Sequence, residues 1–173
     1  MSRLTVGSIE GLTENSNVIS IPTGHTLNAV DGLQIGGTAV GAIQTYTPTW
    51  TVPAGSTPTI GNGSLTGKYT VINKWCVGSI RLALGSTSSI SGTSEWRFSF
   101  PVTPVNIFNF ETLGAALAVD VGTAGYRGTA FFLANTIAVY GSDAAATVGS
   151  TTPFTWDPSV GDYLTISFSY EVA

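Results

Sequence analysis

Glycine and proline interrupt this chain too often for long helices. Twenty-one glycines and eight prolines are spread over 173 residues. A helix interior loses roughly 1 kcal/mol at a glycine and 3 at a proline. The longest stretches free of both are 129–140 and 162–173, and both are rich in β-branched and aromatic residues. In the second, Leu164, Ile166, Phe168, Tyr170 and Val172 alternate with Thr165, Ser167, Ser169 and Glu171. That period of two sends one set to a core and the other to water, as a strand requires.

The same alternation runs through Leu65, Gly67, Tyr69 and Val71, then Cys76, Gly78, Ile80, Leu82 and Leu84, then Trp96, Phe98 and Phe100. Further strands are expected over 115–121, 126–133 and 136–140. Turn clusters lie at 61–64, 85–89, 122–125 and 157–162. Ile72-Asn73-Lys74-Trp75 reads as a tight connection between two long strands. Many short, evenly spaced strands predict an all-β, jelly-roll-like β-sandwich over 45–173.

Residues 1–44 differ. Their apolar pieces are very short: Leu4, Val6 and Ile9; Val18, Ile19 and Ile21 before Pro22; Leu27 after His25; Leu33 and Ile35. Such pieces bury too little within one chain to offset their ordering entropy. They are expected to form an N-terminal trimerisation or attachment arm, β-prism-like, in which identical chains supply the missing faces. A flexible arm is the plainer alternative. The glycines from Gly36-Gly37 to Gly41 read as a hinge.

Charged residues are 9% of the chain, against about 25% in an ordinary domain. Glycine, serine and threonine take their place. That suits a surface hidden in subunit contacts, and equally a bland threonine-rich sandwich. The formal charge is −4 and the six basic residues are scattered, so no cluster is available to displace phosphate counterions and nucleic acid is not an expected partner. No apolar stretch is long enough to span a bilayer, and the N-terminus lacks a signal-type apolar core. No membrane partner is expected.

Catalytic chemistry has little to work with. His25 is the single histidine and Cys76 the single cysteine, far apart in sequence. Neither a nucleophile–histidine arrangement nor a zinc site follows from them. Gly61 to Lys68 lacks the spacing of a phosphate loop, and Lys68 is followed by Tyr69; a hairpin turn is expected there. Asp157 and Asp162 bracket a turn and are too thin a set for calcium, so they are expected to cap it. No enzyme, cofactor or metal is expected. Trp50 and Trp156 sit beside turns as candidate surface aromatic contacts, with packing or subunit contact outweighing ligand binding for both.

Asn15-Ser16-Asn17-Val18-Ile19-Ser20-Ile21-Pro22-Thr23-Gly24-His25-Thr26-Leu27 resembles a recurrent segment of trimeric bacteriophage virion proteins, the tail-fibre and capsid decoration proteins. There, such segments wrap a threefold axis. Tyr46 to Trp50, Gly67 to Tyr69 and Thr152 to Leu164 are similar to phage β-sandwich head domains. The resemblance implies a homotrimer and carries no catalytic residue. Met1 and the lack of a long shaft favour a compact, full-length decoration (cement) protein on the outer capsid surface, bound to the major capsid protein. The alternative is a tail-fibre or head-fibre domain that recognises host-surface saccharide.

Overall fold

The computed structural model describes residues 41–53, 57–90, 95–142 and 144–173, together with two short strands before them. Those two, β1 (Gln34–Ile35) and β2 (Thr38–Ala39), pair antiparallel, Gln34 opposite Ala39 and Ile35 opposite Thr38. Gly36 and Gly37, where the hinge is expected to begin, lie outside the described residues.

The remaining strands are β3 (Gln44–Tyr46), β4 (Trp50–Thr51), β5 (Ser64–Ile72), β6 (Trp75–Ala83), β7 (Arg97–Phe98), β8 (Thr112–Asp120), β9 (Ala124–Leu133), β10 (Thr136–Gly141), β11 (Ala146–Thr147) and β12 (Tyr163–Glu171). All ten join one antiparallel sheet, ordered β3-β5-β6-β12-β8-β9-β10-β7-β4, with β11 on β10 beside β7. Among the described residues there is no helix.

The strand order forces the sheet to curl. Its two ends, β3 and β4, are separated in sequence only by Thr47, Pro48 and Thr49. Four Cα steps reach at most about 14 Å. Nine flat strands at about 4.8 Å spacing would put the same ends nearly 40 Å apart. The sheet therefore bends round until its edges approach, and its inward faces close on one core. Ser99, just after β7, is where the ends meet: the Tyr46 hydroxyl on β3 donates to its carbonyl at 3.5 Å, while its N–H and Oγ extend the β4–β7 pairing to Thr49 at 3.0 and 2.9 Å.

Period-of-two patterning fills that core as expected. β12 lies mid-sheet and pairs with β6 over nine residues, setting Leu164 opposite Leu82 and Ile166 opposite Ile80, all four buried. Each such side chain contributes about 1.5–3 kcal/mol. Two glycines in the inward series make room for rings. Gly78 faces Phe168, and a methyl there would stand 2.5 Å from the Phe168 Cζ. Gly67 faces Tyr46, whose ring occupies the space of a Cβ. The alternation through Trp96, Phe98 and Phe100 holds, with Trp96 and Phe98 buried, but ladder pairing there is limited to Arg97–Phe98.

Asn73 (φ 57°) turns β5 into β6, as the sequence indicates, with Ile72 opposite Trp75. A second hairpin, β9 to β10, turns at Ala134 (φ 47°) and Asn135 (φ 61°) without any glycine. The 61–64 segment is not the expected hairpin turn, because β4, the strand before it, lies at the far end of the sheet. It is instead a loop tied to the turn at 85–88. The Asn62 N–H donates to Thr87 Oγ1 at 2.8 Å, and Asn62 Oδ1 accepts from the Thr87 N–H at 2.9 Å.

Candidate recognition surface

On the long strands β5, β6, β8 and β12 outward residues largely alternate with core residues, so the register decides what the outer face presents there. Lys68 stands opposite Ser79, and Ser79 opposite Ser167. Ser167 Oγ donates to the Ala115 carbonyl at 3.0 Å and accepts from the Ala115 N–H at 3.2 Å. Ala115 then faces Thr129, and Thr129 faces Tyr140. From Ser79 to Tyr140 a row of small and hydroxyl-bearing side chains thus crosses five strands, with Lys68 on β5 at its end. Shallow hollows of about 290 Å³ and 240 Å³ lie along it, the first over Ala115, Leu117 and Thr165, the second over Ile43, Tyr69 and Val77. Charge is sparse; the Arg81 guanidinium lies over the Tyr163 ring, its Cζ 4.3 Å from the centroid.

At the β8–β9–β10 end the face changes character. Phe110, Thr112, Thr129, Phe131, Tyr140 and Thr147 line a hollow of about 420 Å³. Phe108 and Phe110 stand among the most exposed large apolar residues, with Phe110 72% exposed. The Phe110 ring stacks on Phe131 at 5.8 Å between centroids and 17° between planes. Its backbone sits in the left-handed region at φ 69°. A ladder-like bond holds it there, the Phe110 N–H donating to the Phe132 carbonyl at 2.8 Å, and the Phe132 N–H returns to the Glu111 carbonyl at 2.9 Å.

The aromatic residues singled out from sequence lie elsewhere. Trp50 and Trp156 are 6% and 3% exposed, which corrects their reading as surface contacts. Both belong to a buried line of rings: Trp50 packs on Trp96 at 4.8 Å, Trp96 on Trp156 at 4.8 Å, and Trp156 on Phe154 at 4.5 Å. Both belong to the hydrophobic core, so neighbouring rings and not solvent surround them although turns lie beside them in sequence. Ile35 lies in β1. Leu4, Val6, Ile9, Val18, Ile19, Ile21, Pro22, His25, Leu27 and Leu33 lie outside the described residues. Phe108 and Phe110 were not marked by sequence reasoning; the signal for them is their spacing two apart in Ile107-Phe108-Asn109-Phe110, after the prolines at 101 and 104.

The ionisable groups serve structure. Fully buried Asp162 accepts from the Val121 N–H at 2.9 Å and, through its other oxygen, from the Asp157 N–H at 2.7 Å. Asp157 in turn accepts from the hydroxyl and N–H of Ser159, each at 2.7 Å, and these bonds hold its carboxyl below the usual range. The two aspartates cap the turn, as expected. Burial pushes the Cys76 thiol upward, and the Tyr46 and Tyr170 phenols with it. Among the described residues no three His, Cys, Asp or Glu side chains cluster as metal ligands. No helix among them is long and apolar enough to cross a membrane, which says nothing of strands.

Fold and surface together define an all-β protein whose outer face is broad, weakly charged and set with exposed aromatic rings. Compared with known proteins, the chain is 33% identical over 116 residues to the Mu-like prophage FluMu defective tail fiber protein of Haemophilus influenzae (strain ATCC 51907 / DSM 11121 / KW20 / Rd). The match covers 65% of this chain and 18% of that protein, so the chain corresponds to a small part of its relative's length. The likeness supports a place among phage structural proteins in general. No protein-family model and no solved structure matches the chain.

Proposed function

We propose that the chain is a module of a phage or prophage tail fibre that contacts the host surface, and that its role is adhesive and mechanical, not catalytic. The similarity to the FluMu tail fiber protein carries this reading. The outer face is consistent with it: hydroxyls and aromatic rings on a weakly charged sheet suit uncharged saccharide better than nucleic acid. A homotrimer belongs to the proposal, with residues 1–44 as the arm that joins the copies and the curled sheet as a jelly-roll-like sandwich at the far end. Locating the chain in imaged particles tests it. A few copies at the tail, with adsorption blocked by the purified protein, are expected.

Capsid decoration is the second reading. Exposed Ile43 just before β3, Ile72 on β5, and Trp75 and Val77 on β6 favour it, because a group of apolar side chains suits a flat protein partner such as the major capsid protein. Many copies over the shell, and particles that rupture at lower temperature without the protein, would decide for decoration and against the fibre.

A further inference from the structure

We infer that the hollow over β8, β9 and β10 is a binding site for a neutral hexose unit of a polysaccharide, with Phe110 and Tyr140 as its principal contacts. The inference rests on the tail-fibre reading for its biological setting and on geometry for its chemistry. A pyranose ring has an apolar C–H face and a rim of hydroxyls. It is recognised by a flat aromatic surface bordered by hydrogen-bonding groups. The hollow supplies both. Phe110 stacks on the largely buried Phe131, which fixes its plane. Tyr140 stands between Thr129 and Thr147 in the cross-strand register, and Thr112 stands opposite Phe131. Three threonine hydroxyls and one phenol thus border the rings.

Size and charge narrow the ligand. The volume of about 420 Å³ falls inside the range of roughly 300–1,000 Å³ found for small-ligand sites. None of the six lining residues is charged, which disfavours acidic sugars, phosphates and nucleotides. Phe110 carries its ring, 72% exposed, on a left-handed backbone at φ 69° that its hydrogen bond to the Phe132 carbonyl holds in place, so the ring is presented at a fixed position over the hollow.

The test is binding of the purified full chain to immobilised neutral gluco-, galacto- and manno-oligosaccharides, with sialylated oligosaccharides alongside. Wild-type protein is expected to bind at least one neutral series and not the sialylated one. Phe110→Gly and Tyr140→Ala are each expected to weaken that binding about tenfold or more, while Trp75→Ala, an exposed aromatic on another part of the outer face, leaves it unchanged. Absence of binding to every neutral series overturns the inference. So does equal loss in Trp75→Ala, or binding that survives both hollow variants. If Phe110→Gly instead lowers the mass of an oligomer by light scattering, the hollow is a contact between copies and the inference falls. Particle imaging separates this from the tail-fibre reading: a shell location with intact hollow-dependent binding overturns the fibre and supports the site, and a tail location without such binding does the reverse.

Discussion

Phe110 shows how a single residue can work against stability. Left-handed backbone costs a bulky side chain about 1–2 kcal/mol, and glycine is free of that cost. Phe110→Ala removes the ring and keeps the strain, whereas Phe110→Gly removes both. The glycine variant is therefore expected to be more stable than the alanine variant by about 1 kcal/mol, measured as a difference in urea midpoint at equal slope. Equal midpoints would mean that the backbone relaxes once the ring is gone. Asp162 is the opposite case, a residue held for structure. Asp162→Ala leaves the N–H groups of Val121 and Asp157 without their acceptor in a fully buried site. A loss of about 3 kcal/mol is expected in the same unfolding experiment. The capping role of Asp162 is legible in sequence, but its full burial and its reach to the Val121 N–H are not, and neither is the left-handed backbone of Phe110. Asp162 reads as a turn residue, and Phe110 lies in an apolar run with no glycine to announce a positive φ.

At the scale of elements, β5, β6 and β12 were legible because each spends nine residues with one face inward, so core and solvent write themselves into the sequence at every second position. The same rule was incomplete where an inward position holds glycine. Gly67 and Gly78 keep the alternation in phase, but only the register explains them, by setting Tyr46 and Phe168 opposite. Gly78→Ala is expected to destabilise by about 1–3 kcal/mol, since the new methyl meets the Lys68 carbonyl and the Phe168 ring at 2.5 Å. Gly125→Ala, near the start of β9, meets only Leu117 Cδ1 at 3.5 Å and is expected to change stability by less than about 0.5 kcal/mol. Thermal unfolding of the pair checks both. The exposed hollow was illegible for a related reason. Its rings face outward from β9, β10 and the segment before β8, and a pattern that equates apolar with inward assigns such rings to the core.

At the scale of the molecule, the three-residue link from β3 to β4 makes distant parts of the sheet depend on one another. If the edges separate, the Tyr46 hydroxyl on β3 loses the Ser99 carbonyl, 3.5 Å away, and the inward faces of both halves meet water. Opening of one end alone is thus costly, and the sheet is expected to unfold as one unit. Two native probes sit far apart along the strand order. Cys76 is buried on β6, its thiol pushed upward by burial, so it labels only when the sheet opens there. In a Trp75→Phe background, which removes the tryptophan beside Cys76, the Trp50–Trp96–Trp156 line reports on the end near β4 and β7. Tryptophan fluorescence and Cys76 labelling, both followed across a urea series, are expected to give the same midpoint and slope. A Cys76 transition that precedes the fluorescence change would mean that the β5–β6 side peels away while the β4–β7 end stays packed. In that case the curl would be two adjoining units and not one closed sheet.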